Sequence, residues 1–353
     1  MSIVFAILLF SLLIFVHELG HFVTAKLSGV QVNEFALFMG PAIYQKKLGE
    51  TIYSRRCIPI GGYCAMEGEE EDTDNPRSFQ KAIWWKRLII LVAGSVMNYV
   101  TGVLIFAIVF APAQQFIMPT VASIEEGCLI AGENGIQVGD TFLELDGEKI
   151  YVQSDFSTVL ALNPGDVHDL VLERGGEKIV LEDFKMEKAL FPNEDGSQSE
   201  RFGFSFSVVK ATLGEKVKYV WNSTLNVIRN VRLSLQMLIT GKAGLQDMSG
   251  PGGIVQVMSE TAEQSADTFS AIMNMLYFGG FIAINLAIMN LLPIPALDGG
   301  RVVCLLITTI VEVVTGKKIN PKYEGYLHAA GMILLLGLMA IILFKDIFVI
   351  FKG

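Results

Sequence analysis

The sequence predicts a polytopic α-helical membrane protein with about four transmembrane helices, a β-hairpin region and one inserted small soluble domain. Of its 353 residues 52% are hydrophobic, and the mean hydropathy of +0.48 exceeds that of an ordinary soluble protein. A transmembrane helix needs about 20 apolar residues, and runs of that length recur along the chain. The acidic residues are concentrated in one stretch between those runs.

The first predicted transmembrane helix, residues 1–27, contains the motif His17-Glu18-Leu19-Gly20-His21. Side chains four positions apart share one face of a helix, so both imidazoles can reach one metal ion with Glu18 beside them. H-E-x-x-H on a helix is typical of zinc peptidases, in which the glutamate is the general base. Ionisable groups in a spanning helix are costly and indicate function. The alternative is a structural metal or a histidine pair at the headgroups.

Residues 28–87 are predicted to form a β-hairpin and loop region. Short β-prone runs alternate there with Gly-Pro, Leu-Gly and Gly-Gly pairs, and an acidic loop follows. Nine Lys and Arg residues lie between Lys26 and Arg87, and none precedes Lys26. The positive-inside rule therefore predicts that this region is cytoplasmic and that the N-terminus is outside. We expect no cleavable signal peptide, since a basic leader and a small-residue cleavage site are missing.

The second predicted transmembrane helix covers residues 88–112, after an interfacial anchor formed by Trp84, Trp85, Lys86 and Arg87. Gly94, Asn98 and Gly102 recur every four residues, which predicts one small and polar face turned toward a neighbouring helix. Helix packing and a functional role for Asn98 are both open.

Residues 113–210 are predicted to form a small soluble domain outside the membrane. Residues 121–220 contain 19 acidic and 9 basic side chains, a net charge of −10. Residues 211–267 are predicted to be an amphipathic helix (213–240) on the outer surface and a Gly-rich linker. The chain has no basic stripe of the kind that binds nucleic acid.

Residues 268–314 are predicted to be the third transmembrane helix and its continuation, and Pro293 and Pro295 break the helix after Asn290. Asp298 follows the break, and an open zinc site needs a third protein ligand besides the two histidines. Asp298 is the preferred candidate because it too lies at the cytoplasmic end of a span, and two sites at the same depth can meet. A turn aspartate before Gly-Gly is the alternative for Asp298. The other candidate ligands are His328, the runner-up at the start of the last transmembrane helix, His168, expected in a solvated loop, and Glu34, in a β-like segment.

Residues 315–353 are predicted to be a loop and the fourth transmembrane helix, which puts the C-terminus outside. The four cysteines lack a C-x-x-C pair and are predicted to lie in different compartments, so a disulfide framework is not expected. A metal site at Cys57 and Cys64 would need carboxylates to complete it.

Together, these segments resemble the site-2 protease family. The HELGH motif in the first transmembrane helix and NLLPIPALDGG late in the chain carry the resemblance, and PIGGYCAMEGE and GSVMN add to it. The segment IQVGDTFLELDGEKI resembles a PDZ domain. The closest subgroup is the bacterial kind that cuts membrane-anchored regulators and carries one PDZ-like domain. The resemblance implies a multi-pass protein of the bacterial cytoplasmic membrane with a β-hairpin at the membrane edge.

The resemblance also implies roles for individual residues. His17, His21 and Asp298 would bind Zn²⁺, and Glu18 would be the general base. Asn98 and Asn290 would act near the substrate backbone. The hairpin segment Gly61-Gly62-Tyr63 would hold the substrate as an extended strand. The hairpin edge at residues 52–66 could supply partners for the unwound substrate backbone by strand addition.

The predicted function is intramembrane zinc proteolysis of single-span membrane proteins, such as anti-sigma-type regulators or signal-peptide remnants. The outer domain would admit only substrates with short outer parts, and a peptide or protein ligand of that domain stays open. One alternative is a membrane-anchored zinc peptidase that cuts cytoplasmic or misfolded proteins. Another is a receptor without enzymatic activity that has a peptide-binding outer domain.

Overall fold

A computed structural model describes residues 2–69, 73–193, 197–244, 250–265, 267–316, 320 and 322–352. The chain divides into two compact units. One unit contains Met1–Phe106 and Asn230–Gly353, and the other is Ala107–Arg229. The acidic loop predicted after residue 66 lies partly outside the described residues, since 70–72 are not among them.

The secondary structure of the described residues consists of helices and strands, which we number in chain order. The α-helices are α1 (Ser2–Ser28), α2 (Trp84–Phe110), α3 (Gln153–Leu162), α4 (Leu213–Ile239), α5 (Pro251–Glu263), α6 (Thr268–Asn290), α7 (Asp298–Thr315) and α8 (Lys322–Lys352). The strands are β1 (Val32–Leu48), β2 (Thr51–Met66), β3 (Gln115–Ile124), β4 (Thr141–Leu145), β5 (Glu148–Lys149), β6 (Val167–Arg174), β7 (Glu177–Lys185), β8 (Ala189–Pro192), β9 (Gln198–Arg201) and β10 (Phe204–Lys210).

Among the described residues, four helices are long and apolar enough to cross a membrane, namely α1, α2, α6 and α8. This confirms the coarse prediction of a multi-pass membrane protein with a β region. Trp84 and Trp85 form the first turn of α2 and do not precede it. The apolar residues 301–314 belong to a separate helix, α7, because the loop after Asn290 interrupts α6.

Small residues let the spanning helices approach one another closely. A Cβ atom added at Gly20 would lie 2.5 Å from the carbonyl oxygen of Ala93, and one at Gly279 would lie 2.9 Å from Leu9. A Cβ at Gly102 would lie 2.5 Å from Ile284. Close approach at small residues is typical of helix packing in membranes, and it brings α1, α2 and α6 together.

Strands β1 and β2 pair in an antiparallel arrangement that folds back on itself. Glu34 pairs with both Ile52 and Ala65, so the first half of β1 lies between the two ends of β2. The other half of β1 pairs with residues 51–56 alone, as in Lys47↔Ile52. Residues 52–55 therefore have partners on both sides, whereas residues 62–66 pair on one side only within the described chain. The strand edge predicted at 52–66 is thus narrowed to 62–66.

The second unit contains a sheet in the order β10-β3-β4-β6-β7, with β5 paired to β4. Its core includes Phe142, Leu145, Leu170 and Leu172, all fully buried. Asp155 on α3 is also fully buried and accepts a hydrogen bond from Arg229 Nη2 at 2.8 Å, which ties α4 to this unit.

Two expectations about single segments were wrong. The Gly-rich linker expected at 244–256 becomes helix α5 from Pro251 onward, because Pro251 occupies the first turn, where its missing N–H costs nothing, and residues 245–249 of that linker lie outside the described residues. His168 lies on β6, not in a solvated loop, and is 4% exposed. Its Nδ1 lies 2.8 Å from Asp146 Oδ2 and its Nε2 lies 3.0 Å from the Gly165 carbonyl oxygen, which explains its burial.

Candidate metal centre

Two histidines on α1 form one side of the candidate metal centre. His17 and His21 are one helical turn apart and are 9% and 7% exposed. Their Nε2 atoms lie 3.2 Å apart, and the ring planes meet at 82°. Both rings therefore direct Nε2 to one point beside the helix.

Asp298 approaches this point from another part of the chain. It is the first residue of α7, and its Oδ2 lies 3.0 Å from Nε2 of His17 and 3.3 Å from Nε2 of His21. The two glycines that follow allow the close turn. A Cβ at Gly299 would lie 2.2 Å from the Leu292 carbonyl oxygen, and one at Gly300 would lie 2.4 Å from that of Ile294.

The three atoms fit a tetrahedral zinc ion. They form a triangle with sides of 3.0, 3.2 and 3.3 Å. Two ligands at the usual Zn–N distance of about 2.05 Å and at a tetrahedral angle would be about 3.3 Å apart. Oδ2 of Asp298 is buried without a hydrogen-bond partner among the described residues, so a cation would satisfy it. Within the described chain, these are also the only three His, Cys, Asp or Glu residues grouped closely enough to hold a metal.

Helix α2 closes the other side of the centre through a glycine and a carbonyl group. A Cβ at Gly94 would lie 2.4 Å from Nε2 of His21 and 2.8 Å from Nδ1 of His17. The carbonyl oxygen of Ile90 lies 2.7 Å from Nδ1 of His21. A carbonyl only accepts, so Nδ1 carries the proton and Nε2 keeps the lone pair that a metal needs.

Asn98 and Asn290 both contact the ring of His17. Nδ2 of each lies 3.4 Å from Nδ1 of His17, and Asn98 is 1% exposed. Oδ1 of Asn98 has no hydrogen-bond partner in the described chain. If Nε2 of His17 binds a metal, Nδ1 carries a proton, and a half-turn of the Asn98 amide would let Oδ1 accept it. These contacts allow Asn98 and Asn290 to orient the ring of His17. Their action near the substrate backbone stays a prediction.

A cavity of about 710 Å³ adjoins the three ligand atoms. Glu18 lines it together with Tyr63 and with Cys64, Ala65 and Met66 of the strand edge. A Cβ at Gly62 would lie 3.8 Å from Cγ of Glu18 and 2.9 Å from the Ala36 carbonyl oxygen. Gly62 and Tyr63 of the segment Gly61-Gly62-Tyr63 therefore lie near Glu18, and the substrate-holding role of the segment stays a prediction.

The phenol of Tyr63 is held by charged neighbours on the hairpin. Its hydroxyl contacts Nη2 of Arg56, which donates to Oε1 of Glu34 at 2.8 Å. Partial burial, and then the hydrogen bond and negative charge of Glu34, raise the pKa of Tyr63 to about 12. Tyr63 is therefore a neutral group at the cavity, and Glu34, a candidate ligand, is engaged with Arg56.

Two further residues of the centre were not predicted from the sequence. Arg301, one turn after Asp298, lines the cavity and forms an ion pair with Glu69 Oε1. No spacing in the sequence indicates the pair of Arg301 and Glu69.

His328, the runner-up ligand, accepts a hydrogen bond at Nδ1 from the backbone N–H of Ala296 at 2.9 Å. The described cysteines are free thiols outside the group of three metal-ligand candidates.

Comparisons with known proteins agree with this centre. A protein of Clostridium perfringens named as a zinc metalloprotease is 39% identical over 349 residues, which is 98% of each chain. A protein of Fusobacterium nucleatum with the same kind of name is 33% identical over all of both chains. The regulator of sigma-W protease RasP of Bacillus subtilis is 26% identical over 98% of each chain.

The profile of peptidase family M50 matches residues 5–338, nearly the whole chain. The matched range contains the HELGH motif and Asp298. The chain therefore belongs to peptidase family M50, the site-2 proteases, and is a zinc metalloprotease of the membrane.

Proposed function

We propose that this zinc metalloprotease cuts single-span membrane proteins within or beside their transmembrane segments, with zinc held by His17, His21 and Asp298. The convergence of three ligand atoms within 3.3 Å of one another carries the proposal, because two of them, from His17 and His21, lie on a helix apolar enough to span a bilayer. Ionisable groups at such a position are costly unless they have a partner, and a divalent cation is a suitable one.

Glu18 has the position of a general base. Zinc bound at this centre would supply Lewis-acid chemistry, acidifying a water molecule and polarising a peptide carbonyl. Glu18 lines the same cavity as the three ligands. It can accept the proton of the attacking water and pass it to the leaving amine, as general acid–base catalysis requires.

The strand edge Gly62–Met66 would hold the unwound substrate. A helix in lipid hides its backbone groups, and unwinding it leaves them without partners. Residues 62–66 have backbone groups with a partner strand on one side only in the described chain, and Tyr63 to Met66 line the cavity. Addition of the substrate as a further strand would satisfy both backbones and place a peptide bond beside Glu18.

The substrate class proposed here rests on the cavity and strand edge that would hold an unwound helix, and on the name of one relative. RasP of Bacillus subtilis bears the name regulator of sigma-W protease. By analogy, a membrane-anchored regulator with one span is the substrate class proposed for this chain. Asn98 and Asn290 would act near its backbone, in addition to contacting His17.

The second unit would act as an outer filter with a PDZ-like fold. It is acidic, with a net charge of −10 over residues 121–220, and its charge keeps it in water. The nine Lys and Arg residues between Lys26 and Arg87 support an orientation with the hairpin in the cytoplasm and both termini outside. A cavity of about 840 Å³ in the second unit, lined by Phe156, Phe202, Phe204 and Phe206, is the candidate position for a peptide ligand.

The test compares purified full-length enzyme and five variants in detergent. His17→Ala, His21→Ala and Asp298→Ala should lose zinc and proteolysis together, because each removes one of three ligands. Glu18→Gln should keep one zinc per chain and lose proteolysis of a single-span peptide by about 10²-fold or more. Asp298→Asn is the matched control for charge.

Three outcomes would contradict the proposal. Unchanged zinc in Asp298→Ala would exclude Asp298 as a ligand, and wild-type cleavage by Glu18→Gln would exclude Glu18 as the base. Cleavage of soluble proteins but of no spanning substrate would favour a membrane-anchored peptidase with soluble substrates.

A further inference from the structure

The loop that delivers Asp298 rests on the last helix, α8. Ala296, two residues before Asp298, donates its backbone N–H to Nδ1 of His328 at 2.9 Å. Ala296 has a φ of +82°, a left-handed conformation that is uncommon for a residue with a Cβ atom. Such a conformation is strained and persists only where neighbouring contacts hold it.

Helix α8 contacts the same loop a second time through a glycine. A Cβ at Gly331 would lie 2.5 Å from Cβ of Pro295 and 2.6 Å from its carbonyl oxygen. His328 and Gly331 are three positions apart and therefore share one face of α8. Two consecutive loop residues, Pro295 and Ala296, are thus held by one helical turn.

The hydrogen bond also defines the protonation of His328. Nδ1 accepts from Ala296, so in the neutral ring Nε2 carries the proton. Nε2 is buried and has no hydrogen-bond partner within the described chain. Neither ring nitrogen then has a lone pair for a metal, which separates His328 from the three ligand candidates.

We propose that His328 is a positioning residue, which holds the backbone of Ala296 and thereby fixes the carboxylate of Asp298 at the metal. The proposal rests on the assignment of Asp298 as the third zinc ligand. Only Leu297 separates Ala296 from Asp298, so a shift of the Ala296 backbone is passed to the carboxylate. Metal sites tolerate ligand displacements of only about 0.2 Å.

The first test exchanges His328 for side chains that reproduce one ring nitrogen at a time. Oδ1 of asparagine can occupy the place of Nδ1, whereas Oε1 of glutamine reaches the place of Nε2, and leucine offers no acceptor. Zinc release from full-length enzyme in detergent is followed with a chromophoric chelator. We expect release about 10- to 100-fold faster for His328→Leu and His328→Gln, the range for residues that support a ligand, and a rate near wild type for His328→Asn.

A second pair of variants tests the loop without touching the histidine. Gly331→Ala would push Pro295 away, whereas Gly337→Ala adds a methyl group where nothing lies within 4 Å. Both changes favour helix formation to the same extent. We expect zinc release to be faster from Gly331→Ala and unchanged from Gly337→Ala. The unfolding temperatures of the two variants should be close to each other.

The outcomes separate this inference from the assignment of Asp298. Wild-type zinc release by His328→Leu and Gly331→Ala, beside zinc loss in Asp298→Ala, would overturn the positioning role alone. Retention of zinc by Asp298→Ala would overturn the ligand assignment itself. Slow release from His328→Gln with fast release from His328→Asn would overturn the Nδ1 contact and favour Nε2 as a direct ligand. Equally fast release from His328→Asn and His328→Leu would also refute the proposal, because an acceptor at Nδ1 would then make no difference.

Discussion

Replacement of Gly94 by alanine should empty the metal centre without weakening helix α2. The added Cβ would lie 2.4 Å from Nε2 of His21 and 2.7 Å from Cε1 of His17. Real Cβ atoms essentially never approach within 3.0 Å, so the rings or the helix must move. Both contacted atoms belong to rings that hold ligand atoms of the centre.

The size of the displacement follows from these distances. Ordinary contact begins at 3.4 Å, so the shortfall at His21 is about 1 Å (3.4 against 2.4 Å). This is several times the tolerance of about 0.2 Å for a zinc ligand. Alanine in a helix interior is meanwhile favoured over glycine by up to about 1 kcal/mol. We therefore expect zinc affinity to fall at least 10- to 100-fold while α2 is retained.

The assay measures zinc per chain after dialysis and the zinc dissociation constant by competition with a chelator. Gly102→Ala is the matched control, because its Cβ would meet Ile284 at 2.5 Å on the same helix, two turns from the histidines. The control should lower the unfolding temperature and leave zinc bound. Equal zinc affinity in Gly94→Ala and wild type would refute the geometry of the centre.

Three further predictions concern the hairpin, the topology and the second unit. Gly62→Ala should keep zinc but lower kcat/KM for a spanning peptide, because its Cβ would press on the Ala36 carbonyl at 2.9 Å; unchanged kcat/KM would argue against substrate addition at this edge. An impermeant thiol reagent should label exposed Cys57 only after the cells are permeabilised, and buried Cys64 on neither side; labelling of Cys57 in intact cells would reverse the topology. Excision between the paired residues Ile117 and Val208 joins neighbouring strand ends and should leave zinc bound. The shortened enzyme should then cut substrates with a folded outer domain, and continued rejection of them would locate the size limit elsewhere.

The ligand set could be predicted because each ligand lies in a local pattern. His17 and His21 follow the helical period, and Asp298 follows a break marked by Pro293 and Pro295. The meeting of α1 with α7 depends on contacts between residues about 280 positions apart, and the sequence offered only their equal depth as an argument. The choice of Asp298 over His328 is still a prediction that zinc analysis must test.

The errors arose where tertiary contacts outweigh local pattern. His168 was expected in water, yet the Asp146 carboxylate and the Gly165 carbonyl 22 and 3 residues away satisfy both ring nitrogens. Segment 251–263 carries Gly252 and Gly253 but continues as a helix, since packing of an apolar face overrides weak propensity. The sequence could not show that only residues 62–66 of the predicted edge at 52–66 keep an unpaired side. That depends on the first half of β1 pairing with both ends of β2, which is a non-local property.

The glycines around the centre explain why the motif residues alone do not specify it. Gly20, the spacer inside HELGH, lets α1 reach the backbone of α2 at Ala93. Gly94 admits the two rings, Gly299 admits the loop of Asp298, and Gly331 admits α8 to that loop. Lipid gives little hydrophobic force between helices, so packing and hydrogen bonds must hold them. A methyl group at any of these glycines would therefore act on the ligand triangle through the backbone, and the zinc affinity of such variants should fall before their helices unfold.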